Sequence, residues 1–172
     1  MTTPSPIEVL AAAAHAARAR AVQDWHPERC EDGHFRILAD GRWLHEGNPI
    51  HRPELVKLFA SILRREPDGT HVVVTPGEKL TVEVEDAPFV AVELATEGSH
   101  AARRLAFRLN TDDIVVAGPD HPITQTDGRP YLHVRHGLMA RIARPVFYEL
   151  ADLALAEDAR GLHSDGAFFA LD

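Results

Sequence analysis

One stretch of this chain occurs twice. Asp40–Phe59 reads DGRWLHEGNPIHRPELVKLF, and Asp127–Leu150 reads DGRPYLHVRHGLMARIARPVFYEL. Each opens with Asp-Gly-Arg, passes through a segment of strand character and reaches Ile-x-Arg-Pro at the head of an amphipathic helix. The copies are offset by 87 residues at the Asp and by 92 at the Arg-Pro pair, so the second carries five more residues between turn and helix. Asp-Gly is a two-residue hairpin signal, and Pro after Arg suits the first position of a helix. The repeat predicts an α+β fold with a duplicated strand–loop–helix core and a strongly bent antiparallel sheet. It divides the chain into an N-terminal helical and hairpin domain, 1–68, and a C-terminal domain of bent sheet plus helix, 69–172. A cleft between the copies is expected, with Arg52 and Arg144 at equivalent places beside it.

The rest of the chain fills in this plan. Ser5 can cap a first helix, with Pro6 at its first position, running to about Trp25 before His26-Pro27 ends it. After the first copy, Pro67-Asp68-Gly69 is expected to stop the helix. Leu55, Val56, Phe59, Ile62 and Leu63 form its apolar stripe, with Arg64 on the other side. Strands are expected at His71–Thr75, Lys79–Glu85, Phe89–Thr96, Arg103–Leu109, Ile114–Ala117 and Pro130–Arg135. In Lys79–Glu85, Leu80, Val82 and Val84 alternate with Thr81, Glu83 and Glu85. The second helix is read from Pro145 to about Asp158. The tail, with Phe168-Phe169, is read as a strand.

Charge narrows the function classes. The chain of 172 residues has a formal net charge of −8, which argues against general nucleic-acid binding. Its single cysteine, Cys30, rules out an internal disulfide and fits a reducing compartment. No apolar run approaches a membrane span, and no basic stretch precedes the Ala-rich N-terminus, so the cytoplasm is the expected location.

Against this acidic background, Gly128–Tyr148 holds Arg129, Arg135, Arg141 and Arg144 with His133 and His136, and no acid. Arginine presents a planar fork of donors that matches phosphate or carboxylate. Strand alternation would put Arg129, Tyr131, His133 and Arg135 on one face, with Tyr131 placed to stack on a base. The alternative is a solvated face whose arginines pair with Glu83, Glu85 or Asp86. Those three carboxylates could themselves do acid–base work or hold magnesium, although a row of Glu on a strand is more often a wet face. His26, Cys30, Asp32 and His34 have the right ligand types for zinc, but Pro27 and Gly33 break the alignment, so no metal is expected.

The blocks GRWLHEGNPIHRPELVKLFASILRRE, VVVTPGEKLTVEVEDAPFVAVE and RPYLHVRHGLMARIARPVFYEL resemble a proteobacterial group, domain-of-unknown-function family 1285. The match covers about Gly33 to Phe169. The resemblance implies a duplicated α+β core, a C-terminal part like a pleckstrin-homology domain, a domain-interface site for a nucleotide-like ligand and a role in signalling. It also raises the turn Thr75-Pro76-Gly77-Glu78-Lys79 from an ordinary hairpin to a candidate ligand contact. The expected ligand set is therefore Arg52, Thr75, Glu78, Lys79, Tyr131, His133, Arg135 and Arg144, with no cofactor and no catalytic residue. The leading expectation is a cytosolic regulatory module for a small anionic ligand, with a signalling protein as a possible partner. A protein-interaction scaffold and a carboxylate-based enzyme are the alternatives.

Overall fold

The computed structural model describes residues 22–171. Most of the expected first helix lies outside the described residues. Its last part, Val22–Asp24, is a single 3-10 turn.

The chain forms two compact units, Met1–Glu85 and Asp86–Asp172. The boundary falls after Glu85, not after Asp68. Strands β5 (His71–Val74) and β6 (Lys79–Val84) belong to the first sheet, because β6 lies parallel to β1 (Cys30–Ile37) in its middle. Composition marks Pro67-Asp68-Gly69 as a break, but only strand pairing decides which side a strand joins.

The first sheet has the order β3-β2-β1-β6-β5-β4, where β2 is Trp43–His45, β3 Asn48–Pro49 and β4 Leu63–Arg65. The second has the order β10-β11-β12-β7-β8-β9. Its strands are β7 (Phe89–Glu97), β8 (Arg104–Leu109), β9 (Ile114–Val116), β10 (Ile123–Thr126), β11 (Arg129–Arg135) and β12 (Leu138–Ile142). Each sheet is two three-stranded antiparallel meanders joined through one parallel pair, β1 with β6 and β7 with β12. The duplicated α+β core is thus present, with a parallel seam that the alternation patterns did not reveal.

The second sheet has to roll. Six strands laid flat span about 24 Å from edge to edge. The link between its two edge strands, residues 117–122, spends part of its length on a turn in which Gly118 bridges His121. What remains cannot cross a flat sheet, so the edges are drawn together. Register shifts in β7 between Ala91 and Glu93 and in β11 between His133 and Arg135 supply local bends.

Helix α1 (Pro53–Ser61) begins where Pro fixes the first turn and ends at Ile62, earlier than helical periodicity predicts. Leu63–Arg65 pairs with β5 instead, so Pro67-Asp68-Gly69 is a hairpin turn and not a helix stop. Arg64 consequently points inward. It is 5% exposed and gives hydrogen bonds to Glu66 and to the carbonyls of Val22 and Trp25. Phe59, Phe35 and Trp43 stack into an aromatic core for this unit.

In the second unit, Leu105, Phe107 and Leu109 are fully buried on one face of β8, as the alternation predicts. Arg103, on the same side, is also buried and forms an ion pair with Glu157 after α2 (Arg144–Ala156). Val146, Leu150 and Ala154 are the buried stripe of α2. The tail is a hairpin of two strands, β13 (Gly161–Ser164) and β14 (Ala167–Ala170), rather than one. Ser164 fastens it. Its hydroxyl accepts from Leu105 N at 2.8 Å and donates to Ala117 O at 2.7 Å.

Candidate functional site

The repeated motif lands on hairpins in both units, but the two turns differ. Asp127 and Gly128 both have positive φ, the conformation a type I′ turn requires. At the first copy Gly41 has positive φ and Asp40 does not. There Asp40 instead accepts from Arg42 N and holds the Arg42 side chain at 2.8 Å.

In the second unit, antiparallel pairing sets Tyr131 opposite Arg141 and Thr124, and Arg129 opposite Thr126. Paired residues point to the same side, so Thr124, Thr126, Arg129, Tyr131 and Arg141 share one face, with His133 next along. Asp86 organises it. It accepts a 2.6 Å hydrogen bond from the Tyr131 hydroxyl and lies 3.5 Å from Arg141 Nε. Burial, then the Asp86 carboxylate, pushes the Tyr131 phenol up, so it stays protonated and donates. His133 is fixed in one tautomer. Its Nε2 accepts from Gly137 N at 3.1 Å, which leaves Nδ1 to donate to Asp120 O.

Arg135 does not join this face. The register shift after His133 sets it opposite Leu138, whose side chain is buried. The extra residue turns Arg135 to the other side of the sheet, where its guanidinium lies 5.5 Å from the Phe89 ring centroid. Burial pulls its pKa down, against the pull of Asp113. Simple alternation misplaced it because a bulge inverts the side on which later residues point. Arg144 is exposed as the first residue of α2.

In the first unit the expected contacts are engaged within the fold. Thr75 is buried; its amide donates to Glu78 O, and its hydroxyl accepts from Glu78 N, closing the β5–β6 turn. Glu78 lies 3.7 Å from Arg29, and Lys79 3.8 Å from Glu66. Arg52 is exposed, and its carbonyl accepts the first amide bonds of α1. The carboxylate row is divided. Glu85 holds Arg36 at 2.9 Å and accepts from Ala39 N, Glu83 lies 3.9 Å from Arg36, and Asp86 serves Tyr131. Among the described residues no three His, Cys, Asp or Glu are grouped to hold a metal, so His26, Cys30, Asp32 and His34 form no such group.

The sequence reading did not anticipate a cleft of about 750 Å3 in the first unit. His34, Arg36, Glu46, His71, Thr81 and Glu83 are among the residues that line it. It depends on the parallel pairing of β1 with β6, which sets Arg36 beside Glu83. The only local signal is Asp32-Gly33-His34. Gly33 sits at the bulge of β1, where a Cβ would lie 2.7 Å from Phe35, and His34 has a φ of 54°.

Among the described residues these features define an α+β chain of two units, each with a six-stranded sheet and one α-helix and the second with the tail hairpin besides, carrying a polar face in one unit and a cleft in the other. The chain belongs to the DUF1285 family. Residues 20–87 match the model described as "Domain of unknown function (DUF1285), N-terminal domain", and residues 88–171 match "Protein of unknown function (DUF1285), C-terminal domain". Among solved structures, the chain is similar to a DUF1285 family protein from Silicibacter pomeroyi, at 42% identity and a TM-score of 0.82, covering 94% of this chain and 93% of that one. It is also similar to one from Shewanella baltica, at 29% identity and a TM-score of 0.57, covering 69% and 90%. The comparison with curated proteins found no match. No helix among the described residues is long and apolar enough to cross a membrane.

Proposed function

We propose that this chain is a small-ligand-binding regulatory module of the cytoplasm, which takes an anionic, nucleotide-like ligand and acts in signal transduction. The reading rests on the shared face of β10, β11 and β12. There Arg129 and Arg141 flank Tyr131, with Thr124 and Thr126 beside them and one acid, Asp86, to fix the phenol. A planar base stacks on the tyrosine ring, and a phosphate draws Arg141 away from Asp86, a contact already at 3.5 Å. Arg144, exposed at the start of α2, adds a cation where a helix N-terminus already favours anions. Arg135, Thr75, Glu78 and Lys79 are not needed for this reading, since each serves its own unit.

The test is a thermal-shift series with nucleoside mono-, di- and triphosphates. A ligand that binds only the folded state raises the melting temperature. Arg141→Gln and Tyr131→Ala should each abolish the shift with the fold retained. No shift with any nucleotide defeats the proposal. That result would favour the scaffold reading, for which the exposure of Tyr148 (57%) and Leu155 (75%) on α2 is the relevant observation.

A further inference from the structure

The cleft of the first unit has a different chemistry. Arg36 and Glu83, both exposed, line it as register partners across the parallel seam, with 3.9 Å between guanidinium and carboxylate. That is longer than a charge-assisted hydrogen bond, so neither group is satisfied by the other. Glu85 occupies only the Nη2 end of Arg36. Among the described residues nothing accepts from Arg36 Nε or Nη1, and Arg36 is the only contact of the Glu83 carboxylate.

His71 borders the cleft, but it is the register partner of Val82, so its half-buried ring lies on the opposite face of the sheet from Arg36 and Glu83. Burial, and then the charge of Arg65, pull its pKa down. Leu44, the register partner of Arg36 on β2, supplies an apolar neighbour on the same face. A volume of about 750 Å3 falls in the range of small-molecule sites, roughly 300–1,000 Å3.

We propose that this cleft binds a small zwitterion of the amino-acid class, with its carboxylate on Arg36, its ammonium on Glu83 and its side chain toward Leu44. The two protein charges sit side by side, as the two ligand charges do. Binding replaces one long ion pair with two short ones. A simple anion would meet Glu83, Glu46 and Asp32. A simple cation would meet Arg36. Only a ligand with both charges satisfies the pair. The inference concerns a different unit from the nucleotide reading and stands or falls separately from it.

The test is calorimetric titration of the full chain with the common amino acids at millimolar concentration. At least one should bind, and its N-acetyl and methyl-ester forms should each bind at least about tenfold more weakly, since each removes one charge. These blocked ligands need no change in the protein. Arg36→Gln and Glu83→Gln should each cost a similar factor, while Tyr131→Ala leaves the affinity unchanged. Binding of an amino acid that survives both blocking groups, or no binding by any amino acid, overturns the proposal. So does a polyamine or a dicarboxylate that binds more tightly than every zwitterion.

Discussion

In the first unit the helix follows the edge strand β3 and leads to β4 at the opposite edge; in the second the edges are linked by a loop, and the helix follows the central strand β12. Both sheets nevertheless have the same plan of two meanders and one parallel seam. A helix can occupy either place because its own requirements are local, a proline start and an apolar stripe. The sheet plan is not local, since the seam joins the first strand of each six-stranded sheet to its last. The sequence repeat therefore follows the hairpin–helix physics and runs in opposite senses through the two sheets. In the first copy it goes from the centre outward, and in the second from the edge inward.

The cores differ as well. The first is aromatic, with Phe35, Trp43 and Phe59 in contact; in the second, single buried strands are lined by Leu and Phe. Phe59→Ala and Phe107→Ala should therefore each cost about 3–5 kcal/mol, since both rings are fully buried. Hydrogen exchange should rise in the first sheet for Phe59→Ala and in the second for Phe107→Ala. Equal opening of both sheets by either change would break the comparison.

Among the described residues each unit also buries one arginine, on different terms. Arg64 has carboxylate and carbonyl acceptors around its guanidinium, whereas Arg103 pairs with Glu157 and leaves Nε and Nη1 without hydrogen bonds. Arg64→Met should cost about 3 kcal/mol, because it strands a carboxylate and two carbonyls. Arg103→Met should cost less, as read from urea midpoints. The reverse order would show that the hydrogen-bond census does not govern these sites.

Close backbone approach gives a smaller contrast. A Cβ at Gly161 would collide with the Phe169 carbonyl oxygen and the Ala170 Cα, both backbone. At Gly33 it would meet Phe35 at 2.7 Å and Thr81 O at 2.8 Å. Gly33→Ala should cost about 1–3 kcal/mol, with Gly161→Ala at or above the top of that range, and the melting temperatures should rank accordingly. A Gly161→Ala protein as stable as the parent would mean that the tail hairpin is not held as described.

The smallest expected difference is in acid response. His71 has a lowered pKa in the folded first unit, so the unfolded chain binds more protons as pH falls below about 6.5. Stability from this group is present above that pH and declines below it, and His71→Gln should flatten the slope. In the second unit the Arg103 hydrogen bond lowers the Glu157 pKa, so its contribution persists to lower pH and is lost only as acid passes from about 4.5 through the folded value. Urea midpoints between pH 7 and 4 separate the two.

Much of this molecule was legible from residues alone. The β8 strand, the starts of α1 and α2 and the Asp-Gly hairpins are placed to within one residue, because alternation, proline and turn chemistry act within a few residues. The shared face of Tyr131, His133 and Arg129 followed from the same two-residue period. Arg135 did not, since one inserted residue after His133 turns it to the opposite side. The end of α1, the inward turn of Arg64 and the pairing of Arg36 with Glu83 depend on which strands lie side by side. Hydrophobic periodicity records that a strand has a buried face, but not its neighbour. Neighbour choice is settled only when the whole sheet closes, and there the first unit acquires its cleft.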